Sequence, residues 1–164
     1  ENFISYFYQQ QAFKDFTKPP HRFEFVGKVN GVNYVNDSKA TNIDATLKAL
    51  SAISEMAEEA DIYLICGGDL KEQDITSPNL DIIRRVKKAF IYGKDKESIN
   101  KSISRYTKSK CILDLDEAVK NSRELSKKGD YVILSPACSS LDMFKDYKER
   151  GDKFKRLIQQ LSYE

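Results

Sequence analysis

The sequence predicts an α/β fold, Rossmann-like, with a mostly parallel sheet, helices on both faces and an antiparallel hairpin at one edge. Two observations carry that expectation. From residue 20 onward, short runs rich in β-branched and aromatic residues alternate with stretches of helical spacing, the rhythm of strand–helix units that assemble parallel sheets. The first two runs, within "RFEFVGKVNGVNYVND", are separated by Asn30-Gly31, a dipeptide that closes two-residue hairpins because both positions tolerate positive φ.

The remaining elements follow in order. Ala45, Leu47, Leu50 and Ile53 recur on one face and predict a helix opened by a Thr41-x-x-Asp44 capping pattern. Next come a strand "DIYLICGG", a helix around "NLDIIRRVKK", a strand "AFIYG", a helix "KESINKSISRY" and a strand "KCILD". A helix "LDEAVKNSRELSKK", a strand "DYVILSPA" and a last helix from about Phe144 to Leu161 complete the pattern. Upstream, Pro19 and Pro20 fix φ and push their predecessors toward extended backbone, so "FTKPPHRFE" reads as a stiff linker. The expected division is 1–19, the tail of a preceding domain with its linker, and 20–164, the α/β domain. The chain opens on Glu1 and is expected to be a piece of a longer protein.

Composition narrows the class. Charged residues at 32% and hydrophobic residues at 40% suit a globular protein and fit neither a disordered nor a membrane chain. A net charge of +2 is too small for the basic footprint of a nucleic-acid binder, so none is expected as a partner. Cys66, Cys111 and Cys138 form no C-x-x-C pair and lie in or beside apolar runs, which favours reduced thiols of a cytoplasmic protein over disulfides or zinc. No apolar run approaches the roughly 18–20 residues of a membrane span.

In such a sheet the carboxyl ends of the strands share one edge, where ligands are usually held. Four polar clusters follow directly after strands: "NDSKATN", "GGDLKEQD", "GKDK" and "SPACSSLDMF". Each also reads as ordinary capping and turn chemistry. No G-x-x-x-x-G-K-[ST] loop, G-x-G-x-x-G turn or G-x-S-x-G elbow is present, and the single histidine, His21, cannot supply a histidine metal site.

"HRFE" at 21–24, "NDSKATN" at 36–42, "GGDLK" at 67–71 and "LSPACSSLDMFKDYKERGDKF" at 134–154 together resemble the C-terminal domain of the Mur ligases. Within that family the "NDSKATN" form is similar to the member that adds D-glutamate to UDP-N-acetylmuramoyl-L-alanine. The resemblance implies an ATP- and Mg2+-dependent ligase of peptidoglycan precursor synthesis, acting through an acyl phosphate, cytoplasmic and monomeric. It implies that this domain presents D-glutamate and closes over ATP, with the phosphate loop and metal ligands on a separate central domain. By the same resemblance Thr41 and Lys71 would hold the D-glutamate α-carboxylate. Ser140, Leu141 and the segment to Tyr147 would hold its side-chain carboxylate, with Lys39 steadying the loop. His21, Arg22 and Asp37 would reach the ATP ribose. A dianionic amino acid needs cations and N–H donors, and Lys39, Lys71 and the amides after Ser139, where a helix is expected to begin, supply them. One departure from the resemblance stands at position 147, where a family member has phenylalanine and this chain has Tyr147. A non-catalytic α/β binding module that kept the fold remains the alternative from another class.

Overall fold

The computed structural model describes residues 19–73, 75 and 80–162. Of the 1–19 segment expected to be the tail of a preceding domain with its linker, residues 1–18 lie outside them. Six strands form one sheet: β1 (Glu24–Val29), β2 (Val32–Asn36), β3 (Ile62–Gly67), β4 (Val86–Tyr92), β5 (Ser109–Cys111) and β6 (Tyr131–Leu134). Their order is β1-β2-β6-β3-β4-β5. Only β1 and β2 run antiparallel; β2–β6, β6–β3, β3–β4 and β4–β5 are parallel. Val29 pairs with Val32, leaving Asn30 (φ 50) and Gly31 (φ 82) as the two-residue turn that the dipeptide predicts.

The sheet is buried on both faces, and alternation sorts its residues. Val35, Leu64, Cys66, Ile91 and Ile133 point to one face, under helices α1 (Ile43–Met56) and α2 (Lys96–Ile103), with Leu47, Leu50, Ile53, Ile99 and Ile103. Tyr34, Tyr63, Ile65, Phe90, Val132 and Leu134 point to the other, under α3 (Leu115–Leu125) and α4 (Tyr147–Leu161), with Leu115, Val119, Phe154 and Ile158.

Three elements differ from expectation. The stretch around "NLDIIRRVKK" is a 3-10 helix, Leu80–Arg85, that passes directly into β4. Leu80 and Ile83 are its buried residues, three apart, which matches the three-residue turn of that helix, and Val86 already pairs with Ile62. α1 is capped by Asn42, whose side chain accepts from Ala45 N at 2.9 Å, one residue later than the Thr41 pattern. The last helix starts at Tyr147: Asp146 accepts from Glu149 N at 2.8 Å while Glu149 accepts from Lys145 N at 2.6 Å, a reciprocal cap that sets its first turn.

Candidate functional site

Because the four inner strands are parallel, the segments after β2, β3, β4 and β6 gather along one edge of the sheet. β1 runs the other way, so residues 21–23 before it join the same edge beside Asn36. Backbone strain concentrates there. Among the described residues six non-glycines have positive φ, and five of them, His21, Phe23, Lys71, Glu72 and Ala137, lie in these segments. Such conformations persist only where surrounding contacts impose them, and they cluster at functional sites.

The segment after β2 is tied down by its side chains. Asn36, fully buried, lies 3.1 Å through Nδ2 from both His21 Nδ1 and Glu24 Oε2, and its Oδ1 accepts from Ser38 N at 3.2 Å. Asp37 accepts from Phe23 N at 3.0 Å and from Ser135 Oγ at 2.8 Å. Ser38 Oγ donates to the Tyr147 carbonyl at 2.7 Å. Lys39 is exposed, its backbone N donates to the His21 carbonyl, and its ammonium stands 5.6 Å over the Tyr147 ring, whose edge-on neighbour is His21. Burial holds the His21 imidazole below its ordinary pKa, with Lys155 adding to the shift and Asp152 opposing it.

The segment after β3 starts on Gly67 (φ 119) and Gly68 (φ 136), where a Cβ would meet Tyr92 O at 2.0 Å and Ser139 O at 2.1 Å respectively. These glycines let three segments approach one another. Asp69 accepts from Lys71 N at 2.8 Å and pairs with Lys94 at 3.3 Å, and those contacts hold its carboxyl below the usual range, the Lys71 amide foremost.

The segment after β6 carries Ser135, Cys138 and Ser140, all buried, and exposes Leu141 and Met143. No helix begins after Ser139; Met143 N and Phe144 N both donate to the Ser140 carbonyl at 3.1 and 2.8 Å, closing a turn, and α4 starts later. The expectation of helix N-terminal amides at Ser139 is therefore corrected. Burial pushes the Cys138 thiol up to about 12, which keeps it protonated and unreactive at neutral pH.

The nine nominated residues thus share one edge but not one cavity. Arg22, Asp37 and Lys39 line an open cleft of about 540 Å³ together with Phe23, Ala40 and Asn42. Lys71 lines a second cleft of about 710 Å³ with Asp69, Lys94, Asp95 and Ser98. Thr41, half-buried, and Ser140 and Leu141 line neither. His21 is turned inward, 7% exposed. Among the described residues no group of three or more His, Cys, Asp or Glu side chains is placed to share a metal ion.

Sequence reasoning missed Arg150. It is fully buried in α4, with Nε on Ser38 Oγ at 3.0 Å, Nη2 on the Ser38 carbonyl at 2.9 Å, and Nη1 and Nη2 on the Cys138 carbonyl at 3.2 Å. One guanidinium thereby joins the segments after β2 and β6. The available signal was its spacing: Arg150, Phe154 and Ile158 fall every four residues on the buried face of the helix. Gly151 lets that helix close in, since a Cβ there would stand 2.2 Å from His21 Nδ1.

A doubly covered, mostly parallel sheet whose loops carry cationic and hydroxyl groups to one edge is the architecture in which α/β domains usually hold their ligands. Residues 21–138 match the family described as the Mur ligase, glutamate ligase domain, and the chain belongs to that family. It is 42% identical over 154 residues to the UDP-N-acetylmuramoylalanine–D-glutamate ligase of Caldicellulosiruptor saccharolyticus, covering 93% of this chain and 33% of that one. The corresponding enzyme of Aquifex aeolicus is 42% identical over 150 residues, covering 92% and 35%. That of Shewanella violacea is 44% identical over 154 residues, covering 94% and 33%. The chain spans about a third of the length of these relatives. Among solved structures, a murein peptide ligase from Psychrobacter arcticus superposes with a TM-score of 0.66 at 13% identity, covering 93% of this chain and 32% of that one. A bifunctional folylpolyglutamate synthase/dihydrofolate synthase from Yersinia pestis, complexed with AMPPNP and a manganese ion, gives 0.63 at 14% identity, covering 87% and 32%. At such identities these two show the shared fold.

Proposed function

We propose that this chain is the C-terminal part of an ATP-dependent ligase that joins D-glutamate to UDP-N-acetylmuramoyl-L-alanine in the cytoplasm, during synthesis of peptidoglycan precursors. The observation that carries this reading is identity of about 40% sustained over more than nine-tenths of the chain with relatives named for that reaction. ATP would activate the substrate carboxylate as an acyl phosphate, which the D-glutamate amine then attacks.

The domain's own residues would bind and orient. Lys71 and Thr41 are assigned to the α-carboxylate of D-glutamate, and Ser140 and Leu141, with the segment to Tyr147, to its side-chain carboxylate. Lys39, held over the Tyr147 ring, steadies the segment between them. Ammonium groups and backbone N–H donors suit a dianionic ligand, and two carboxylates on one small molecule give the site its selectivity for an acidic amino acid. Arg22, exposed at the cleft it shares with Asp37, is assigned to the ATP ribose end. Asp37 accepts from Phe23 N and Ser135 Oγ, and ribose hydroxyls would join those donors at the same carboxylate. His21 faces inward, so its part in that site is to set the backbone of Arg22 and Lys39. Mg2+ and the phosphates are assigned to parts of the longer protein outside this chain, and the chain alone is expected to be inactive.

In the full-length protein, phosphate release from ATP should require D-glutamate and UDP-N-acetylmuramoyl-L-alanine together, and residues 1–164 alone should release none. Turnover supported equally by a diamino acid in place of D-glutamate would defeat the proposal.

A further inference from the structure

Asp95 occupies the N-cap position of α2, yet its side chain makes no capping hydrogen bond. Aspartate at that position usually accepts from the second or third helical amide, an arrangement the other caps here follow: Asn42 accepts from Ala45 N, Asp114 from Glu117 N and Asp146 from Glu149 N. The Asp95 carboxylate instead crosses to the neighbouring segment and accepts from Leu70 N at 2.7 Å, while its own backbone N donates to the Gly68 carbonyl at 3.1 Å. The helix is left without its side-chain cap, and the segment bearing Lys71 receives the carboxylate.

That segment is one that needs holding. Lys71 and Glu72 stand consecutively at φ 49 and 65, a left-handed pair that non-glycine residues adopt only under external constraint. Three links close a ring around it. Leu70 N bonds Asp95, joining the segments after β3 and β4. Lys94 N donates to Asp142 Oδ2 at 2.8 Å, joining the segments after β4 and β6. Asp69 and Ser139 exchange backbone hydrogen bonds at 3.1 and 3.0 Å, joining the segments after β6 and β3. Gly93 fits at the centre, where a Cβ would meet Gly68 Cα and Asp142 Oδ2, both at 2.7 Å. The ring carries Lys71 on one side and Ser140 on the other.

We propose that Asp95 is a positioning residue for Lys71, and that Asp142 is its counterpart for Ser140: the two carboxylates lock the segments after β3, β4 and β6 into one rigid frame. In this role both act on the frame rather than on the substrate. Together they fix the spacing between the group assigned to the α-carboxylate of D-glutamate and the group assigned to its side-chain carboxylate. This rests on the assignment of Lys71 and Ser140 to that ligand.

The test uses the full-length protein and two readouts. In Asp95→Ala the KM for D-glutamate should rise about 10- to 100-fold, the range expected for one lost hydrogen bond to a charged acceptor. kcat and the KM values for ATP and the UDP-linked substrate should stay within about threefold of the parent. Asp95→Asn keeps an oxygen that Leu70 N can reach and should recover most of the loss. Amide hydrogen exchange of the peptide spanning 67–73 should quicken at least about tenfold in Asp95→Ala and much less in Asp95→Asn, since the Leu70 amide is released only in the former. Asp142→Ala should quicken exchange of the peptides holding Lys94 and residues 139–144. A merely structural role would lower the melting temperature and degrade all substrates together; that outcome, or unchanged exchange at 67–73, overturns the proposal. If the parent protein shows no dependence on D-glutamate, the functional reading falls, and the exchange readout alone decides whether Asp95 holds the loop.

Discussion

Removing the Arg150 guanidinium should destabilise the domain by about 3–5 kcal/mol. The side chain makes four hydrogen bonds to three acceptors, Ser38 Oγ, the Ser38 carbonyl and the Cys138 carbonyl, at 2.9 to 3.2 Å. Hydrogen bonds to charged groups are worth about 1.5–3 kcal/mol each, so a bare sum would exceed 6 kcal/mol. Burial subtracts from that sum. Arg150 has no solvent exposure and makes no ion pair with a carboxylate among the described residues, and burial works against its charge. Deleting it returns part of that desolvation cost, but the two carbonyls stay behind without their donors. Arg150→Ala adds a cavity term that Arg150→Met largely fills, so the Met variant should be the milder by about 1–2 kcal/mol. Arg150→Lys keeps the charge on one nitrogen and cannot reach both segments at once; it should fall between Met and the parent. Thermal unfolding followed by circular dichroism would read the Ala variant as a fall of about 6–20 °C, at roughly 2–4 °C per kcal/mol for a chain of this size. If Arg150→Met lies within about 1 kcal/mol of the parent, the segments after β2 and β6 hold together without the guanidinium and the reasoning fails.

Two further outcomes follow from the same edge. Lys71→Gly should leave stability unchanged or raise it by up to about 1 kcal/mol, because glycine relieves the left-handed backbone. In the full-length protein it should nevertheless weaken D-glutamate use by about 30-fold or more, the loss of one member of a desolvated charge pair; an unchanged D-glutamate dependence removes Lys71 from the site. His21 provides a pH signature. Its folded pKa is depressed below the ordinary 6.5, so the unfolded chain takes up more protons as pH falls through that value. Stability should be full well above pH 6.5 and decline as pH falls through it, by no more than about 1.4 kcal/mol per pH unit, ahead of the main carboxylate titration. The chain has no other histidine. Denaturant titrations from pH 5 to 7 should therefore show a slope that His21→Gln abolishes, and a slope surviving that substitution assigns it elsewhere.

The sequence was most informative where structure depends on near neighbours. Asn30-Gly31 sets its hairpin by the φ values of two residues, and the resulting register, Val29 against Val32, needs nothing else. The unbroken apolar run "IYLIC" marks a strand buried on both faces once helices are known to flank it. The stretch "LDIIRR" was ambiguous for a physical reason: apolar residues three apart fit an α-helix and a 3-10 turn alike, and what decides is the pairing of Val86 with Ile62, set by the sheet. Nor could local pattern show that β6, last in sequence, inserts between β2 and β3. That insertion is what brings "SPACSS" beside "NDSKATN" on one side and "GGDLK" on the other.

The same division runs through the site. Lys39, Lys71 and Arg22, the residues proposed to meet or steady the ligand, are visible in sequence because they are charged residues in loops, where solvated side chains need no packing partner. The residues that hold them are not, because each works across a long stretch of chain. Leu70 and Asp95 are 25 residues apart, Lys94 and Asp142 are 48 apart, and Ser38 and Arg150 are 112 apart. Two of the three links end on a backbone N–H and the third on a serine hydroxyl, with carbonyls completing the Arg150 contacts. Such partners carry no side-chain identity specific to the bond, so no pairing rule between residue types can reveal them. An aspartate that caps its own helix and one that crosses to a neighbouring loop are the same letter in the same position. Only the fold separates Asp95 from Asp114, and with it a residue that steadies its own helix from one that steadies a neighbouring loop.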